Sequence, residues 1–90
     1  MSRAIVDPEE LRRFAHSLKH FNNEVTHQLS SLQGQFAGLG DTWRDQEHDK
    51  FAHTFAETVL VINRFLEASR QHIPFLLRKA DRIDEYLQQR

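Results

Sequence analysis

Gly38-Leu39-Gly40-Asp41-Thr42-Trp43-Arg44-Asp45-Gln46-Glu47-His48-Asp49-Lys50-Phe51 lies near the middle of the chain, and its reading decides the fold. It holds two of the three glycines and the only tryptophan. Long stretches with helical periodicity flank it on both sides. This pattern predicts the bend of a helical hairpin, with Trp43 fixing how the two arms meet. Glycine at 38 and 40 is expected to supply the left-handed conformation that closes a helix. Asp41 and Thr42 are both suited to cap a second helix, and Asp45, Glu47 and Asp49 place negative charge in its first turns.

Towards the N-terminus, Met1 to Val6 reads as a short lead-in, and Asp7-Pro8-Glu9-Glu10 is a strong helix start. Asp7 can cap free backbone N–H groups, proline suits the first helical position, and the glutamates sit favourably in the first turn. Apolar residues then recur in steps of three and four at Leu11, Phe14, Leu18, Phe21 and Val25, continuing through Leu29, Leu32, Phe36 and Leu39. That stripe predicts one buried side. Arg12, Arg13, His16, His20, Asn23 and His27 fall opposite it and read as solvated.

Towards the C-terminus the main seam runs through Phe51, Phe55, Val59, Ile62, Leu66 and Ser69, then Ile73, Leu76, Ala80, Ile83 and Leu87. A second seam accompanies it at Val61, Phe65, Ala68, His72, Phe75, Lys79, Arg82 and Tyr86. A helix with two apolar seams is expected to touch two neighbours. Pro74 removes a backbone donor late in this arm and predicts a kink there. The expectation is one domain over residues 1–90, with helix one over about 8–37, a bend over about 38–44 and helix two over about 45–88.

At about 1.5 Å per residue the arms are roughly 45 and 65 Å long. If the chain folds back at Gly40, Asp7 lies opposite Ile73 and everything beyond Pro74 overhangs. Phe75, Leu76, Ile83 and Leu87 would then form an exposed apolar patch, which marks an interface. The expected interface is therefore Val61, Phe65, Ala68, His72 and Phe75, with Leu76, Ile83, Tyr86 and Leu87 continuing it. The predicted fold is all-α: a two-helix antiparallel hairpin that dimerises into a four-helix bundle.

Composition agrees with an incomplete core. Only 39% of residues are hydrophobic and 28% are charged, which suits a thin hairpin finished by another chain better than a sphere. A formal net charge of −1, with both signs interspersed, argues against a nucleic-acid surface or a polybasic membrane patch. No apolar run is long enough for a membrane span or a cleaved leader. With no cysteine there is no disulfide, thiolate metal site or cysteine nucleophile.

Little in the sequence points to chemistry. His16 and His20 stand one helical turn apart with His27 on the same face, a spacing that can chelate zinc or nickel. They lie opposite the apolar seam without a carboxylate shell to orient them, so they are only weak metal candidates. His72, in the second seam, is the better candidate for a pH-responsive residue. Asp45, Glu47, His48 and Asp49 read as capping and dipole charges. No phosphate loop, nucleophile elbow or HExxH pattern is present, and the expectation is a protein without catalysis or cofactor. Trp43 reads either as a core plug or as a partner contact.

Two amphipathic helices joined at Trp43-Arg44-Asp45, with Phe51 eight residues after the tryptophan, resemble the WXG family of small helical hairpins exported by type VII secretion systems. The resemblance covers nearly the whole chain. It implies homodimers or heterodimers with a related small helical protein, packed as four-helix bundles. It also implies export without a cleaved signal peptide, and a role as secretion substrate, effector or chaperone-like partner. Asp45 stands where the family has glycine, and aspartate cannot take unusual backbone angles without steric cost, so a different bend is expected. The family's tail signal, Tyr followed four residues later by Asp or Glu, would need an acid at 90, where Arg90 stands. The alternatives are a cytosolic helical adaptor or regulatory subunit using the same face, and a histidine-based metal or pH sensor.

Overall fold

The Oδ1 of Asp7 accepts a 2.9 Å hydrogen bond from the N–H of Glu9, with Pro8 at the first helical position. From this cap the first helix, α1, runs Pro8–Leu39, and a second, α2, runs Gln46–Gln88. These elements belong to a computed structural model that describes residues 6–89. The rest of the expected lead-in, Met1 to Ile5, and the tail position Arg90 lie outside the described residues. The two helices form a rod of 68 × 21 × 16 Å, and no strand occurs among the described residues.

The bend differs from expectation in its mechanism. Gly38 remains helical and none of the glycines takes a positive φ; Gly40 has φ −61° and ψ −16°. The helix closes through tight turns instead. Gly40 N–H donates to the carbonyl of Ala37 at 3.2 Å, Asp41 to Gly38 at 3.3 Å, and Thr42 and Trp43 both to Leu39 at 3.1 and 2.8 Å. Asp41 and Thr42 are thus spent in this turn rather than capping α2. Asp45 is the cap: its backbone is extended at φ −99° and ψ −174°, and its Oδ1 accepts from His48 N–H at 3.0 Å.

The seam is rotated relative to the expected one on α1. Its most enclosed residues are Ala15, Asn22 and Leu29, spaced by sevens, facing Leu66, Ser69, Leu76 and Ala80 of α2. Leu11, Leu18, Val25 and Phe36 are half-buried, whereas Phe14, Phe21, Leu32 and Leu39 are about half exposed. Two helix axes packed about 8–10 Å apart leave room at the contact line for small and medium side chains. The broad rings of Phe14 and Phe21 go to its edge. Burial of a side chain such as Leu66 contributes about 1.5–3 kcal/mol.

The pairing register also corrects the expected overhang. Arg12 reaches Asp81 and Asp84, and Asn22 reaches Ser69. The pivot is therefore near Asp45, not Gly40, and moving a pivot along the chain moves the facing residue twice as far. The segment after Pro74 is consequently covered by α1: Leu76 is 8% exposed, Ala80 is fully enclosed, and Leu77 and Ile83 are half-buried. Leu76 and Ile83 thus serve the hairpin itself instead of projecting from an overhanging patch. α2 passes through Pro74 without a break in the helix, and both Pro74 and Arg70 are exposed.

Candidate functional site

At the tip, Phe36 is the hub of an aromatic cluster. His48 stacks on it at 5.0 Å with ring planes 9° apart, and Trp43, Phe51 and Phe55 approach edge-on at 6.5, 5.5 and 5.3 Å. Trp43 also meets His48 edge-on at 5.0 Å. Trp43 is half-buried, so one part of the ring packs and another faces solvent. Arg44 Nε donates to the carbonyl of Gly40 at 2.9 Å, capping the end of α1 as Asp45 caps the start of α2. The four bend positions divide the work: Trp43 and Phe51 pack on Phe36, while Arg44 and Asp45 satisfy orphan backbone groups.

Along the shaft, the two open faces of the hairpin differ in kind. One is laced by polar groups. Arg12 binds Glu9 at 2.8 Å, Asp81 at 2.7 Å and Asp84 at 2.6 Å, and Arg70 donates to Thr26 Oγ1 at 2.8 Å. Donating hydrogen bonds to Asp81 and then Asp84 holds the Arg12 guanidinium's pKa above its ordinary value. The lacing stops short of the tip, where Phe36, Ala37, Ala52, Ala56 and Leu60 line a shallow apolar groove.

The opposite face is apolar along most of its length. Phe21 and Phe65 meet edge-on across the two helices at 6.4 Å, yet Phe65 remains 52% exposed. Phe14 and Phe75 extend the stripe towards the open end, and Leu32, Leu39 and Phe51 towards the tip; Phe75 is 41% exposed. Near the tip Leu32, Leu39, Phe51 and Phe55 enclose a hollow of about 330 Å³. Val61, Ala68, Tyr86 and Leu87 are exposed as well, and exposed His72 leans on Phe75 at 5.1 Å.

His16, His20 and His27 lie exposed on the outer side of α1, and the described residues contain no group of three or more His, Cys, Asp or Glu side chains placed to hold a metal ion. Among the described residues no helix is long and apolar enough to cross a membrane. Phe36 as hub, His48 as its stacking partner and the buried Asn22–Ser69 pair were missed in the sequence. A signal existed for each: His48 continues the seam of Phe55 and Ile62 back by seven, and Ala15, Asn22, Leu29 and Phe36 repeat by sevens.

The fold matches solved structures of the secreted protein EsxB from Bacillus anthracis. The wild-type protein is 25% identical with a TM-score of 0.74, the match covering 93% of this chain and 97% of that one. A proline-to-alanine mutant of EsxB gives 25% identity and a TM-score of 0.78, over 94% and 96% of the two chains. A selenomethionine-labelled EsxB gives 24% and 0.74, over 96% and 98%. No match is found among curated proteins. A family model, that of proteins of 100 residues with WXG, matches residues 4–86. With the hairpin, its tryptophan tip and this match together, the chain belongs to the WXG100 family.

Proposed function

We propose that this chain is an interaction protein of a type VII-like secretion system, acting as substrate or chaperone-like partner through the apolar face that carries Phe65. The observation that carries this reading is the contrast between the two faces. One is closed by Arg12 and Arg70, while the other leaves Phe14, Phe21, Phe65 and Phe75 half exposed. Such a face is completed by a second helical hairpin, giving the four-helix bundle. Val61, Ala68, His72, Tyr86 and Leu87 flank the same contact.

The hollows are shallow grooves on a rod, and the titratable groups at the tip serve helix ends. Export is proposed from the secreted character of EsxB.

Two measurements test the reading. Phe65→Asp buries an unpaired charge in the proposed contact, so it should abolish pairing while helicity of the hairpin is retained. In the native host, intact protein should accumulate in medium free of lysis markers. Strictly cell-associated protein with pairing intact would favour the adaptor reading instead.

A further inference from the structure

We infer that the shallow groove on the polar-laced face, next to the tip, is a separate docking surface, and that it takes a basic amphipathic helix of another protein.

Both helices build the groove. Phe36 and Ala37 of α1 and Ala52, Phe55 and Ala56 of α2 line it, with Leu60 at its shaft end, around a hollow of about 480 Å³. Leu60 stands five residues before Phe65, so it points about 140° away from it around α2. Leu60 is 56% exposed, and a partner covering the Phe65 face leaves it in water.

The form suits a helix. Ala52, Ala56 and Leu60 recur every four residues along α2, about 12 Å from end to end. That span matches two turns of a docked helix, anchored at i, i+3 or i+4, and i+7. Ala37 and Ala56 are exposed and Ala52 is half-buried, and these short side chains let another helix axis come close. Gly34, three residues before Ala37, continues the low ground: nothing stands within 4 Å of where its Cβ would be. A small-molecule site would need enclosing walls, which a groove open along its length lacks.

Charge selects the partner. Asp49, His53 and Glu57 are exposed, and each stands three residues before a groove residue of α2, Ala52, Ala56 and Leu60 in turn. They form the outer rim, where Glu57 Oε2 lies 3.3 Å from His53 Nε2. Residues 41–57 hold five carboxylates against two cationic side chains, Arg44 and Lys50. Arg44 is turned back onto the carbonyl of Gly40. The α1 side of the groove, residues 33–40, carries no charge. Lysines or arginines along one edge of the docked helix therefore meet complementary charge, and an acidic helix is repelled.

The test uses the purified, isotope-labelled full-length chain and a synthetic amphipathic helix of about 18 residues. Its apolar ridge is leucine and its flanks are lysine; a second peptide carries glutamate in place of every lysine. The lysine peptide should shift the amide signals of Ala37, Ala56 and Leu60 saturably below about 1 mM, and its affinity should fall as salt is raised. The glutamate peptide should bind there at least about tenfold more weakly. Ala56→Lys places length and a like charge in the groove, so it should weaken the lysine peptide at least about tenfold with helicity unchanged. Ala56→Ser and Phe65→Asp should each leave the affinity at the groove within about threefold.

Lysine-peptide shifts confined to the Phe65 face, or none by about 1 mM, overturn the groove as a docking surface. So does an Ala56→Lys chain that binds unchanged. Equal binding of the two peptides in the groove overturns the basic partner. None of these outcomes touches the pairing reading, which Phe65→Asp tests separately.

Discussion

Asn22 Nδ2 donates a 2.7 Å hydrogen bond to Ser69 Oγ, joining two enclosed side chains from the two helices. The Oδ1 of Asn22 is left without a partner. A buried polar pair of this kind fixes register more than it adds stability, because slipping α2 by one turn would leave both groups unpaired. Asn22→Ala, which orphans Ser69, is expected to cost about 1–3 kcal/mol. The double variant Asn22→Leu with Ser69→Ala should come out neutral or more stable, at the expense of a unique register. Denaturant unfolding measures the first effect, and the dispersion of amide NMR signals reports the second.

Phe36, not Trp43, is the centre of the tip. Four rings touch Phe36, whereas Trp43 packs on two and keeps part of its surface in solvent. Phe36→Ala should therefore cost about 3 kcal/mol and Trp43→Ala roughly 2 kcal/mol, scaled down from full core truncations by its exposure. A larger loss for Trp43→Ala, measured in the same unfolding assay, would return the tryptophan to the role of core plug.

Asp45 shows that this bend works without the family's glycine. Its φ of −99° is open to any residue, and its carboxylate caps His48 N–H. Asp45→Ala should cost about 1 kcal/mol and Asp45→Gly only a few tenths, as for other N-caps. Thermal unfolding of the two variants side by side checks this order, and a stabilising Asp45→Gly would contradict it.

Gly34 and Gly38 sit in right-handed helix with open space where a Cβ would go, whereas a Cβ on Gly40 would stand 3.3 Å from the carbonyl oxygen of Ala37. Gly34→Ala and Gly38→Ala are each expected to stabilise α1 by about 0.5–1 kcal/mol, by relieving the backbone entropy that glycine loses on folding. Gly40→Ala should gain less or nothing. The melting temperatures of the three variants separate these outcomes.

The proposed pairing bears on all these measurements, since a dimer couples unfolding to concentration. Each comparison is therefore made at one protein concentration, and its sign holds for the hairpin and the pair alike when the substituted residue lies off the Phe65 face.

What the sequence determined by itself was most of the local structure, though not how the bend closes. Asp7-Pro8 started a helix, glycine and tryptophan near 40 interrupted the apolar repeat, and steps of three and four required two helices with apolar sides. The family resemblance rested on the same local features. Only the tertiary structure decided which residues meet. Phe14 and Phe21 share a phase with Leu18 and Val25 to within a fraction of a turn, so periodicity could not say which would face α2. The close approach of two helices resolved it for Ala15 and Asn22 and left the rings outside. Register likewise depends on where the chain pivots. A displacement of that pivot from Gly40 to Asp45, small in sequence, moved the facing residues twice as far, turned the expected overhang into core, and left the Phe65 face as the surface still to be covered.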